Sequence, residues 1–144
     1  MKVVFEIPKD GEEDSILVRC RHVSQEIIQL LERVKTHDML IGYINNETHR
    51  VNPAEIFYIE TVDRKTFLYC KDFVYESKQK LYELAETLQV WNFLRVGKSL
   101  IINMEKIKSI TSTTTRCIEA VLANDEKVIV SRQYVSALKE HLGL

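Results

Sequence analysis

Between residues 54 and 75 the apolar residues come in short runs, not in helical stripes. Ile56-Phe57-Tyr58-Ile59 and Thr66-Phe67-Leu68-Tyr69-Cys70 are rich in β-branched and aromatic side chains, which suit a pleated, half-buried surface. Thr61-Val62-Asp63-Arg64-Lys65 lies between them as a polar hairpin connection with two cations at its tip, and Phe73-Val74-Tyr75 adds a short strand. Nowhere does the chain settle into a long alternation of strand and helix, so a doubly wound parallel sheet is not expected. The pattern predicts an α+β chain that is mostly antiparallel β.

The flanking segments complete that outline. Val3 to Ile7 and Ser15 to Cys20 read as strands on either side of the polar turn 9–14. Ser24 is a natural N-cap, because its hydroxyl can accept from an orphan backbone N–H. Behind it Ile27, Leu30, Leu31 and Val34 recur at helical spacing, which predicts an amphipathic helix over 24–36. Residues 1–40 are thus expected to form a small β-β-α unit, and residues 41–144 the main domain, with a join near 45–53 after the Asn45-Asn46 turn. Ser77 is expected to cap a second helix buried through Leu81, Leu84, Ala85 and Leu88. Leu100 to Ile102 and Ile107 to Ile110 read as short buried segments around Asn103. Arg116 to Leu122 and Lys127 to Val130 read as a hairpin, and Ser131 as the cap of a last helix carrying Val135, Leu138 and Leu142.

Several function classes fall away. With 144 residues, 45% apolar and 28% charged, the chain can build a core and is not of disordered composition. No stretch approaches the roughly 20 apolar residues of a membrane span. The apolar start is too short for a signal peptide and holds Glu6, so a cytoplasmic protein is expected. Cys20, Cys70 and Cys117 form no CxxC pair and read as buried reduced thiols. His22, His37, His49 and His141 show no metal-binding spacing. Gly97-Lys98-Ser99 ends like a phosphate loop, but position 92, where the first glycine belongs, is Asn. No nucleophile and base, and no carboxylate pair, stand at catalytic spacing. Neither an enzyme nor a cofactor or metal site is expected.

The stretch from Phe93 to Ile107, Phe-Leu-Arg-Val-Gly-Lys-Ser-Leu-Ile-Ile-Asn-Met-Glu-Lys-Ile, is the most informative. It resembles the LytTR family of DNA-binding domains, whose signature is an F-x-R-x-x-[KR]-S-x-[IL]-[IV]-N-x-x-x-[IV] run. Ile56-Phe57-Tyr58-Ile59-Glu60 looks like that family's I-x-Y-I-E strand. Val128-Ile129-Val130-Ser131-Arg132-Gln133-Tyr134 looks like its closing hydrophobic-x-x-S-R-x-Y. The resemblance spans residues 41–144 and leaves 1–40 outside. Read from the residues alone, Asn103 is structural, its amide placed to satisfy backbone groups at a bend. Arg95 and Ser99 anchor phosphate or brace their loop. Lys98, beside Gly97, can meet a guanine or a phosphate, or stay solvated.

The resemblance implies an elongated β-sheet domain with short helices that reads double-stranded DNA through loops entering successive major grooves. Carried over by position, the reader loops are Arg64-Lys65-Thr66, Gly97-Lys98-Ser99 and Arg132 at the start of the last helix, and together they supply the cations Arg64, Lys65, Arg95, Lys98 and Arg132. Many members have His near Thr66 and Gly97, so base preferences do not transfer. The resemblance also implies a homodimer on paired sites and a small membrane partner that restrains the regulator, while the apolar stripe Ile27, Leu30, Leu31 and Val34 makes 1–40 an expected packing or dimer element. A phosphoacceptor receiver domain is not expected in this length. The net charge of −1 is low for a DNA binder and leaves a rival class open, an interaction or sensor module on the same fold. Affinity for DNA would have to come from where the cations sit.

Overall fold

The computed structural model describes residues 2–36 and 39–144, which divide into two units, Met1–Val34 and Lys35–Leu144. In the first, the Ile27 amide donates to Ser24 Oγ at 3.3 Å and opens helix α1 (Gln25–Thr36). The strands expected at Val3–Ile7 and Ser15–Cys20 do not form. A lone two-stranded ribbon is marginal in water without a packed face, and the side chains here bury little: Val4 is 63% exposed and Ile7 95%. Of the stripe on α1, Leu30 and Leu31 remain exposed, and the Val34 side chain lies outside the described residues. Cys20 is exposed, and Cys70 and Cys117 are half-buried, so none of the three thiols is the fully buried group expected.

The second unit holds a seven-stranded sheet in the order β2-β1-β5-β4-β3-β7-β6. Its strands are β1 (Leu40–Ile44), β2 (Glu47–Val51), β3 (Ile56–Val62), β4 (Lys65–Cys70), β5 (Val74–Ser77), β6 (Phe93–Arg95) and β7 (Leu100–Asn103). A three-stranded sheet, β10-β9-β8, follows from β8 (Ile107–Ser112), β9 (Ile118–Leu122) and β10 (Lys127–Val130). Every pairing is antiparallel. Helix α2 (Leu81–Thr87) lies between β5 and β6, and α3 (Val135–His141) closes the chain.

Strand β7 explains the layering. Successive side chains on a strand point to opposite faces. Ile101 therefore joins one core with Ile56, Ile59, Leu68, Leu84 and Leu88. Ile102 joins another with Val96, Leu122, Val130 and Leu138. The apolar run at 100–102 is continuous because both of its faces are covered, by α2 on one side and by the second sheet with α3 on the other.

Asn103 ends this strand almost fully buried. Its Nδ2 donates to the Ile56 carbonyl at 2.8 Å and its Oδ1 accepts from the Glu105 amide at 3.0 Å. Nearby, Asn92 donates to Glu105 Oε1 at 3.1 Å and hydrogen-bonds His141 of α3. On β3 and β4 the Tyr58 and Tyr69 rings stack at 4.3 Å. Burial first, then the neighbouring Glu126 carboxylate, hold the Tyr58 phenol well above its ordinary range.

Three expectations are corrected here. Residues 45–53 are no domain join, because the β1–β2 hairpin pairs Leu40 with Val51 and enters the sheet through Tyr43 and Glu76. Ser77 ends β5 and accepts from the Gln79 amide at 3.2 Å, so α2 begins only after Lys80. Strands β2 and β6 were not expected from the sequence: Glu47-Thr48-His49-Arg50-Val51 is mostly polar, as an edge strand tolerates, and β6 is only three residues long.

Asn103→Ala should cost roughly 1–3 kcal/mol, the scale for leaving buried backbone groups unpaired. Asn103→Asp should cost more, because an acceptor would then face the Ile56 carbonyl. Urea unfolding should show lower midpoints for both; a midpoint equal to wild type would remove Asn103 from this role.

Candidate nucleic-acid interface

An antiparallel sheet has two ends, and the turns at each are fixed by register. At one end, the pair Val62·Lys65 leaves a two-residue turn, Asp63-Arg64, with φ of 51° and 66°. Positive φ at both positions makes it the tight hairpin turn whose twist matches its strands. Next to it, β7 pairs with β3, and the Thr61 amide donates to the Ser99 carbonyl at 2.9 Å. That bond holds loop 96–99 against the hairpin. The loop is closed by the Val96 amide on the Leu100 carbonyl at 3.0 Å.

Arg95 braces the loop from within. Its Nε donates to the Gly97 carbonyl at 3.1 Å and its Nη2 to the Lys98 carbonyl at 2.7 Å. Beyond the loop, the Ser131 amide donates to the Val96 carbonyl at 3.0 Å. The end of β10 is thereby attached to the margin of the larger sheet. The β3–β4 turn, loop 96–99 and the β10 terminus follow one another at a single end of the fold.

The residues named from the sequence divide into two groups. Arg64, Lys65, Lys98, Ser99 and Arg132 are exposed at this end. The cations among them have no ion pair or side-chain hydrogen bond among the described residues. The other group is inward. Thr66 is only 5% exposed, with its Oγ1 3.3 Å from Thr61 Oγ1, so it fastens the hairpin and offers little to a partner. Arg95 is half-buried and occupied with its own loop. Gly97 is inward as well: it is buried, and a Cβ there would meet Leu100 and Ser131 Oγ at an ordinary 3.5 Å. Ser131 makes no side-chain cap; its carbonyl accepts from the Tyr134 amide in a 3₁₀ turn, Arg132–Tyr134, that precedes α3.

Charge follows the same polarity. At this end, segments 62–65, 96–99, 113–117 and 131–133 carry Arg64, Lys65, Lys98, Arg116 and Arg132 against Asp63. At the other end, 71–73, 104–106 and 123–126 carry Asp72, Glu105, Asp125 and Glu126 against Lys71 and Lys106. A near-neutral chain thus presents one basic end. Arg116 was not anticipated from the sequence, where it read only as the start of a strand; the hydroxyl run Thr113-Thr114-Thr115 before it was the available signal. Among the described residues no cluster of His, Cys, Asp and Glu could hold a metal, and no helix is long and apolar enough to cross a membrane. His37 lies outside the described residues.

Comparison with known proteins agrees with this geometry. The family model of the LytTr DNA-binding domain matches residues 46–143. A Staphylococcus aureus (strain NCTC 8325) protein described as an uncharacterized HTH-type transcriptional regulator is 26% identical over 120 residues, 83% of this chain and 81% of its own length. The sensory transduction protein LytT of Enterococcus faecalis (strain ATCC 700802 / V583) is 31% identical over 94 residues, 65% of this chain and 39% of LytT. Among solved structures, the LytTr DNA-binding domain of a Bacillus cereus methyl-accepting/DNA response regulator superposes with a TM-score of 0.70 at 26% identity. It covers 74% of this chain and 97% of its own.

Replacing Arg95 by Ala should free the Gly97 and Lys98 carbonyls and loosen loop 96–99 without unfolding the cores. Amide exchange at Val96 and Thr61, whose N–H groups hold the loop through the Leu100 and Ser99 carbonyls, should quicken by about tenfold or more, the scale of one lost charged hydrogen bond. Unaltered exchange would show that the loop holds its shape without this brace.

Proposed function

The chain belongs to the LytTR DNA-binding domain family, and we propose that it regulates transcription by reading double-stranded DNA with the loops at the basic end of its sheets. The observation that carries this reading is the convergence there of exposed cations that have no ion pair or side-chain hydrogen bond among the described residues. The β3–β4 turn, loop 96–99 and the β10 terminus are backbone-linked neighbours, so their side chains approach a duplex together. Lys98 and Arg132 are the base readers in this proposal, because they occupy exposed positions in the loops that the family resemblance assigns to reading. Arg64, Lys65 and Ser99 contact phosphates, while Arg95 and Thr66 hold the loops in place.

Among the described residues no two α-helices follow one another: β1 to β5 separate α1 from α2, and β6 to β10 separate α2 from α3. Recognition through loops is therefore favoured over a recognition helix of the helix-turn-helix kind. From the β3–β4 turn to the β10 terminus the row measures up to about 17 Å at ordinary strand spacing. Long side chains at both ends extend that reach toward successive major grooves, about 34 Å apart. The rival reading as an interaction module drew on the near-neutral net charge, and the separation of charge between the two ends weakens it.

The proposal extends to a cytoplasmic protein without catalytic activity that acts as a homodimer on paired sites. Support for the dimer is the apolar stripe of α1. A small membrane partner that restrains it remains a family expectation.

On a site recovered by in vitro selection, Lys98→Ala and Arg132→Ala should each lose roughly 1–3 kcal/mol of binding, as for a good base contact. Both should discriminate less between that site and scrambled DNA in a gel-shift titration at fixed salt. If neither variant changes affinity, these residues are not readers, and if wild type retains no duplex at low salt, the DNA reading fails as a whole. Light scattering of the protein with a two-site duplex should give two protomers per duplex.

A further inference from the structure

The row of loops does not stop at Ser131. Strand β10 pairs with β9, Val130 lying opposite Ile118, and β9 pairs with β8, Ile118 lying opposite Ser112. The turn between β8 and β9, residues 113–117, therefore projects from the same end of the fold, beside the β10 terminus. The family resemblance did not supply it. We propose that this turn is a fourth DNA contact, in which Arg116 and the neighbouring Thr114 hydroxyl grip the sugar–phosphate backbone outside the groove that Lys98 and Arg132 read. The inference rests on the DNA reading above and adds a site to it.

The backbone conformation makes the first argument. Among the described residues, seven non-glycine residues have positive φ: Asn45, Asn46, Asp63, Arg64, Asn92, Arg116 and Asp125. That conformation is costly for L-residues, and Asn and Asp tolerate it best because their short polar side chains bond locally. The turns remote from the basic end follow the rule with Asn45, Asn46, Asn92 and Asp125. Arginine occupies the position only at Arg64 and Arg116, both with φ of 66°, and both at the basic end. An arginine gains nothing from a left-handed turn that asparagine or glycine would not gain more cheaply.

Nor does the turn need the arginine side chain. The Thr113 amide donates to the Cys117 carbonyl at 2.9 Å, Thr113 Oγ1 donates to the same carbonyl at 3.1 Å, and the Arg116 amide donates to the Thr113 carbonyl at 3.3 Å. These bonds close the turn through backbone and Thr113. The Arg116 guanidinium has no partner among the described residues, and the nearest acid along β9, Glu119, faces Lys127 at 3.8 Å. Thr114, Thr115 and Arg116 are exposed together; Thr115 Oγ1 donates to Thr113 Oγ1 at 3.0 Å, so the hydroxyl available beside the arginine is that of Thr114. Hydroxyls beside an arginine are common phosphate donors.

Position then selects phosphate over base. Counting strands from β4 through β3, β7, β6, β10 and β9 to β8, the row from the β3–β4 turn to the β8–β9 turn measures up to about 24 Å at ordinary strand spacing. A major groove opens only about 12 Å. The outermost turn therefore overhangs the groove rim, where phosphates lie.

Three substitutions test this in the full chain: Arg116→Asn, which suits the left-handed turn, Arg116→Lys, which keeps the charge, and Lys98→Ala as a reader control. Binding to a fixed 30-base-pair duplex of random sequence is measured by fluorescence anisotropy across a potassium chloride series, with melting temperature alongside. Arg116→Asn should weaken binding roughly three- to tenfold and lower the slope of log K against log salt by about 0.9, one phosphate contact. Its melting temperature should equal or exceed that of wild type, and Arg116→Lys should keep the wild-type slope. Unchanged affinity and slope in Arg116→Asn would overturn the fourth contact while leaving the other loops standing, as would loss of the slope in Arg116→Lys. A wild-type protein that fails to bind the duplex at low salt would overturn the DNA reading along with it.

Discussion

One backbone hydrogen bond, from the Ser131 amide to the Val96 carbonyl, turns two sheets into one working edge. Without it the larger sheet would end at β6 and the smaller would begin at β10, each with its own separate margin. With it, the strand order runs on at this end, and loop 96–99 and the β10 terminus, far apart in sequence, become neighbours. The bond is possible because Val96 and Val130 are both fully buried in the same core. Packing on the β7 face that carries Ile102 brings the two margins within hydrogen-bonding distance. Core packing and site geometry are in this sense the same fact.

The distribution of charge follows from that architecture. A hairpin turn is where a sheet can place a cation without burying it, since strand residues are committed to pleat and register. The basic end has gathered its arginines and lysines at turns, and the opposite end has gathered acids. The overall balance near zero conceals this, because net charge is blind to the alternation of turns between two ends. What a sum over the chain reads as unfavourable for DNA becomes favourable once antiparallel topology assigns every second turn to the same side.

Much of this was legible in the sequence, and the failures have identifiable causes. The hairpin at Asp63-Arg64, the α2 stripe, the Asn103 bend and the β9–β10 hairpin announce themselves through local chemistry: turn residues, apolar spacing and a polar group after an apolar triplet. Strand β2 escaped because its stability comes from pairing with β1, and no feature of Glu47-Thr48-His49-Arg50-Val51 records that partnership. The opposite error befell Val3–Ile7 and Ser15–Cys20, which have strand composition but whose apolar side chains stay exposed. At the site, exposure was the hidden variable. Thr66 and Gly97 were singled out by position in a motif, yet both are buried, while Arg116 lies outside the motif and reaches the same end through the topology of the smaller sheet.

The division of the main unit into two cores, one around Ile101 and the other around Ile102, has a bearing on how such a surface behaves in use. Cooperative opening of a protein can involve one structural block at a time. Here β8, β9, β10 and α3 share a core that is distinct from the one beneath α2, so that block has the means to loosen while the rest stays folded. A duplex laid across the row would touch both blocks and hold them in register. Nucleic acid then serves as a clasp as well as a text, and substitutions deep in the smaller core, far from any base, alter occupancy by changing how often the whole edge exists.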